Sequence, residues 1–191
     1  NDKELRLLLK KKKIKYFLGS ENDVLKRYYD CARSFNADLI IRITSDCPFV
    51  DYKMIDKMIK LFLKKKPDYL SNIIIPFYPD GMDVELFNFR SLKTSFQKSK
   101  SAKYKEHVTY YMTENSSKFK ILNFKEKNYD NFAKIRITLD NNDDLNLIDK
   151  IFKYFKYNFF ITYKSIYKLI KDKPELFLEN KFYKRNYGEF N

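Results

Sequence analysis

Two aspartates stand where an α/β protein places its chemistry. Asp46 follows an apolar, β-branched run at residues 39–43, and Asp140 follows a second run at residues 134–139. Each acid falls at the carboxyl end of an expected strand, the rim at which open α/β sheets bind their ligands. Pro48 cannot continue a ladder and forces a turn just past Asp46, which presents that carboxylate at the rim. A carboxylate at each of two strand ends is a seat for magnesium (Mg2+), which is usually held by one or two acids with substrate phosphates and water. The alternative is that both acids merely cap the helices that follow, since Asp is common at such turns. Zinc is not favoured: His107, Cys31 and Cys47 cannot make the usual four Cys/His ligands, and two thiols do not form a disulfide framework.

The elements that must position these acids follow from periodicity and punctuation. Residues 14–18 read as a short strand ending at Gly19. Ser20 with Asp23 resembles a capping box opening a helix whose apolar face is Val24, Leu25, Tyr28 and Ala32. Residues 39–43 read as a strand covered on both sides. Asp51 can cap the next helix, where Ile55, Met58, Ile59 and Phe62 recur at helical spacing and Pro67 ends the pattern. Strands are expected at 69–75 and 84–89, around the turn Pro79-Asp80-Gly81. Helices at 90–97 and 103–113, strands at 119–124 and 134–139, and helices from Asp143 and from Thr162 complete the order. The helix opened by Asp143 and Asp144 should bury Leu145, Ile148, Ile151, Phe152 and Phe155. Alternating strands and helices imply an α/β fold with a mixed, mostly parallel sheet flanked by helices, as a single domain over residues 1–191.

The chain has 191 residues and a formal charge of +14. Such a charge suggests nucleic acid or an anionic membrane. Against this, 32 of the 39 basic residues are Lys, spread along the chain beside abundant Asn, Ile, Tyr and Phe and only three Gly. That is the profile of an A+T-rich genome, with Lys as a solvated surface residue. No apolar run approaches the ~20 residues of a membrane helix. Neither nucleic acid nor membrane is therefore an expected partner, and the free thiols fit a cytoplasmic setting.

Beyond spacing, several blocks carry a resemblance. The segment Gly19-Ser20-Glu21-Asn22-Asp23-Val24-Leu25-Lys26-Arg27-Tyr28 resembles a motif of the cytidylyltransferase family of the spore-coat polysaccharide biosynthesis F protein, related to CMP-KDO and acylneuraminate synthetases. Similar blocks are Ile41-Arg42-Ile43-Thr44-Ser45-Asp46-Cys47-Pro48, Asp68-Tyr69-Leu70-Ser71-Asn72, and Tyr78-Pro79-Asp80-Gly81-Met82-Asp83-Val84-Glu85. Glu106-His107-Val108-Thr109 and Thr138-Leu139-Asp140 with Asp144-Leu145 complete six blocks in the family's order.

The resemblance implies a nucleotide-diphospho-sugar transferase fold, similar to GT-A glycosyltransferases. It implies the reaction of CTP with a sugar acid to give a CMP-sugar and pyrophosphate, for surface polysaccharide or glycan synthesis. Asp46 and Asp140 align with the family's catalytic, Mg2+-binding acids. Gly19, Ser20, Asp23, Arg27 and Arg42 fall on the nucleotide side, and Asp83, Glu85 and His107 on the sugar side. A homodimer is compatible with this reading. Ser45, Tyr110 and Asn142 depart from the usual residues at their positions. The family's opening strand and basic, glycine-containing phosphate loop have no counterpart here, so an N-terminally truncated domain lacking its first strands is expected. Such a chain could be inactive by itself. The competing readings are a nucleotidyltransferase for another nucleotide, or a non-catalytic homologue serving as a binding module.

Overall fold

A computed structural model describes residues 2–178, 180, 182, 183 and 185. In chain order it contains α1 (Lys3–Lys11), α2 (Val24–Ser34), β1 (Leu39–Arg42), α3 (Tyr52–Lys65), β2 (Tyr69–Ser71) and β3 (Glu85–Asn88). There follow α4 (Phe89–Lys98), α5 (Ala102–Glu106), α6 (Tyr110–Glu114), β4 (Ile121–Asn123), α7 (Asn142–Tyr154) and α8 (Tyr163–Asp172), with short 3-10 turns at Ser116–Lys118 and Pro174–Leu178. The sheet has the order β1-β3-β2-β4. It is mixed: β2 runs antiparallel to β3, with Leu70 opposite Leu86, and parallel to β4, with Leu70 opposite Leu122. No described helix is long and apolar enough to cross a membrane.

The chain divides into two compact units. The first comprises Asn1–Ile40 and Asn88–Lys118. Here α2 lies against α4, and Tyr29 stacks on Phe96 with ring centroids 4.4 Å apart. Leu25, Ala32, Leu92, Val108 and Met112 are buried. The second unit comprises Ile41–Phe87 and Phe119–Asn191. Its core includes Met54, Met58 and Phe62 of α3, Leu70 and Leu86 of the sheet, Leu147, Ile148 and Ile151 of α7, and Ile166, Leu169 and Ile170 of α8. Asp51 caps α3 by accepting from Lys53 N at 2.7 Å, and its other carboxylate oxygen accepts from Tyr163 N at 2.8 Å. One buried acid thus fixes the start of α3 to the start of α8.

Several expected elements are reshaped. Residues 14–18 form no strand, and Ile14 and Leu18 are exposed. Extended backbone becomes a strand only when a neighbour takes its N–H and C=O groups. The strand expected at 69–75 stops at Ser71 because the Asn72 side chain intervenes. Its amide donates to Met82 O at 2.8 Å, and its carbonyl accepts from Val84 N at 2.9 Å. The helix expected at 103–113 breaks into α5 and α6 around the β-branched pair Val108-Thr109, which is unfavourable in a helix interior. The run 134–139 contributes a single bridge, from Arg136 to Asp80. In α7 the buried face is Asp144, Leu147, Ile148 and Ile151, whereas Leu145 is exposed. The buried Asp144 turns the helix, as shown next.

Candidate functional site

In the second unit, three chain segments are tied together by backbone. Asp80 N donates to Ile135 O and Ile137 N to Asp80 O, both at 2.8 Å. Leu139 N in turn donates to Asp46 O at 3.0 Å. The middle segment can approach this closely only because residue 81 is glycine. A Cβ there would lie 2.5 Å from Thr138 N, and Gly81 has a φ of +99°, which L side chains rarely adopt. The Thr138 hydroxyl completes the tie to Asp46, and Cys47 Sγ lies 3.2 Å from Thr44 Oγ1. Asp46 and the segment leading into Asp140 are therefore joined by backbone, although the expected strand before Asp140 is reduced to an isolated bridge.

Beneath Asp140 lies a charge network that strand-end logic did not foresee. Arg136 is 3% exposed. Its Nε and Nη2 donate to Asp144 at 2.9 and 2.8 Å, its Nη1 to Asp80 at 3.2 Å, and its Nη2 also to Asp140. Asp144 further accepts from Asp140 N at 3.0 Å and from Asn180 Nδ2 at 2.9 Å. Burial alone would push the Asp144 carboxyl up, but Arg136, Asn180 and Asp140 N outweigh it and hold it below the usual range. Burial likewise opposes the Arg136 charge, and Asp144 and Asp140 more than offset it. The sequence did carry a signal for this cluster. Arg136 lies between Ile135 and Ile137, and Asp140 and Asp144 follow it at intervals of four, a spacing that brings acids to one Arg.

Asp83 forms an ion pair with Arg185, whose Nη1 also donates to Tyr78 O at 3.2 Å. Burial pushes the Asp83 carboxyl up to about 7, against the attraction of Arg185 and with help from Asp80. Arg185 and Asn180, both beyond the last expected helix, had no motif to mark them. Cys47 is buried, which pushes its thiol up to about 12, so it is no thiolate nucleophile at neutral pH.

Arg42 and Glu85, expected on the nucleotide and sugar sides, pair with each other. Glu85 is 2% exposed and also accepts from Tyr69 Oη at 2.6 Å.

In the first unit, Gly19, Ser20, Asp23 and Arg27 come together in one turn. Asp23 N donates to Ser20 Oγ at 3.0 Å, while Asp23 is itself the helix cap, accepting from Lys26 N at 2.8 Å. The helix thus starts three residues later than a cap at Ser20 would place it. Arg27 Nη1 donates to Ser20 O at 2.9 Å, and its stem lies so close to Gly19 that a Cβ there would meet Arg27 Cγ at 2.7 Å. His107 ends α5 and stacks on Tyr110 with centroids 4.4 Å apart.

Among the described residues, no three His, Cys, Asp or Glu side chains converge as a metal cage. A two-acid seat is a different requirement. Asp46 is half-buried, with Oδ2 near Thr138 and Oδ1 near only the weak Cys47 thiol donor at 3.9 Å. Asp140 Oδ2 is taken by Arg136, while its side chain stays 23% exposed. Each acid keeps an oxygen for a hard cation that completes its shell with phosphate and water, so the donor set fits Mg2+.

The profile of the family described as cytidylyltransferase matches residues 8–181. The chain belongs to the cytidylyltransferase family. This family member is also similar in structure to a cytidylyltransferase from Leptospira borgpetersenii serovar Hardjo-bovis, with a TM-score of 0.86 and 30% identity, over 92% of this chain and 74% of that one. It is 35% identical to an uncharacterized protein of Methanocaldococcus jannaschii, over 74% of this chain and 57% of the relative. It is 27% identical to the spore coat polysaccharide biosynthesis protein SpsF of Bacillus subtilis, over 75% of this chain and 59% of the relative. The chain thus spans less than two thirds of the length of these two curated relatives. The α/β fold with a sheet flanked by helices, expected from the sequence, is the fold of this family member.

Proposed function

We propose that this cytidylyltransferase-family protein is a nucleotidyltransferase that joins CTP to an acidic sugar, releasing pyrophosphate and forming a CMP-sugar for surface polysaccharide or glycan synthesis in the cytoplasm. The observation that carries the reading is the backbone tie from Asp46 to Leu139, which sets Asp46 beside the segment that ends in Asp140. In this reading Asp46 and Asp140 hold Mg2+, which when bound neutralises charge on the phosphates and the departing pyrophosphate. The protein's own work is positioning: the Thr138 hydroxyl orients Asp46, and the Gly81 turn keeps the acid-bearing segments in register. Asp83 and Glu85 are assigned to the sugar side and Arg42 to the nucleotide side on motif alone, the structure pairing Asp83 with Arg185 and Glu85 with Arg42. His107 is assigned to the sugar, and Gly19, Ser20, Asp23 and Arg27 to the nucleotide, on motif alone. The polysaccharide role rests on the SpsF relative.

The test is pyrophosphate release by the purified protein, given CTP, Mg2+ and a panel of nonulosonic and 3-deoxy sugar acids. Release with one sugar acid, abolished by Asp46→Asn, supports the reading. Release only with another nucleotide, or none with any sugar acid of the panel, overturns it.

A further inference from the structure

Three carboxylates share the Arg136 guanidinium, and they are not equivalent. Asp144 is fully buried and accepts from Arg136, Asn180 and the Asp140 backbone, so its oxygens are filled. The Asp80 side chain is 7% exposed and turned onto Nη1. The Asp140 side chain is the most exposed of the three at 23%, and Arg136 holds its Oδ2. Among the described residues three acids thus converge on one guanidinium, and Asp140 is the one whose side chain is most open to solvent. Asn180 braces the network through Asp144, because its Nδ2 bridges the Arg136 backbone carbonyl at 3.2 Å and Asp144 Oδ1 at 2.9 Å.

We propose that Arg136 is a positioning residue for Asp140: it occupies Asp80 and Asp144 internally and aims the Asp140 carboxylate outward as one half of a divalent-cation seat. The planar fork matters as much as the charge, since a Lys ammonium is a point charge and cannot address three acids in fixed directions. This inference rests on the reading of Asp140 as a metal ligand and extends it to the residue behind the ligand.

The experiment is an electron paramagnetic resonance titration of Mn2+ into the protein, with and without CTP. Three proteins are compared: wild type, Arg136→Lys and Asp140→Asn. Arg136→Lys keeps the charge and loses the fork. It should remain folded by circular dichroism and bind Mn2+ about 10-fold more weakly, the lower range for loss of a group orienting a metal ligand. The Mg2+ concentration for half-maximal activity should rise by the same factor, with KM for CTP at saturating Mg2+ unchanged. A merely structural role would lower stability without that split. A folded Arg136→Lys that binds Mn2+ like wild type, while Asp140→Asn does not bind, overturns the positioning role alone. Undiminished binding by Asp140→Asn overturns the metal reading itself. Should Arg136→Lys not fold, Asn180→Ala takes its place, because it removes the donor that braces Asp144, on which the Arg136 guanidinium rests. It should bind Mn2+ more weakly than wild type, and wild-type affinity in that variant overturns the proposal.

Discussion

The Thr138 hydroxyl lies 3.1 Å from both the carbonyl oxygen and Oδ2 of Asp46. The carbonyl already accepts from Leu139 N at 3.0 Å, and the carboxylate is the stronger acceptor of the hydroxyl proton. Thr138→Val keeps the shape and removes the donor. The variant should lose ~1 kcal/mol of stability, the usual net worth of one hydrogen bond. If Asp46 holds the metal, pyrophosphate release should fall at least about 10-fold. Unchanged turnover in a folded variant would remove Thr138 from the site.

Gly81→Ala places a methyl group 2.5 Å from Thr138 N at a φ of +99°. The backbone must shift, because the obstructing atoms are main chain. A cost of about 1–3 kcal/mol is expected from the strained conformation, before the clash is counted. Urea unfolding measures it. Wild-type stability would mean that the three segments can part without penalty.

Asp83 gives stability a pH dependence. Its carboxyl sits at about 7 in the folded protein, chiefly because it is buried, against about 3.9 in an unfolded chain. Between those values the native state keeps a proton that the unfolded state releases, so this group's contribution to stability falls as pH rises from about 4 to about 7 and then levels. Asp83→Asn should flatten that slope. Its advantage over wild type in urea midpoint should be larger at pH 8 than at pH 5, and an equal gap at both would refute the assignment.

Removing Arg42 alone strands the buried Glu85 carboxylate with Tyr69. Arg42→Met should therefore cost about 1–3 kcal/mol, the range for leaving a buried acceptor unsatisfied, since the Arg42 side of the pair is partly open to solvent. Adding Glu85→Gln should recover most of it in urea unfolding. If the double variant is no more stable than the single, Glu85 does not depend on Arg42.

Local chemistry made much of this legible in the sequence. Asp51 announced a cap and is one, whereas the strand expected before Asp140 is only an isolated bridge, and a backbone bond from Leu139 to Asp46 joins the two acid-bearing segments instead. The apolar face of α7 was misplaced because the buried ion pair from Asp144 to Arg136 sets its rotation, and hydrophobic spacing cannot see an inward-facing acid. Ser20 and Asp23 were read as cap and partner in the wrong order, since either side chain can cap and only the backbone geometry decides. The pairing of Arg42 with Glu85 joins residues 43 positions apart, and no spacing rule reaches that far. Asn180 and Arg185 were missed for the same reason, with no motif around them.

The tie around Gly81 also has a bearing on how the protein folds. It unites Arg136 with Asp80 across 56 positions and Thr138 with Asp46 across 92. Loops of that length close at an entropic cost that helices such as α3 do not meet, and contacts so remote in sequence slow folding. A partly folded chain can therefore hold its helices while Asp46 and the segment bearing Asp140 are still apart, so the two segments are joined only as the chain completes its topology.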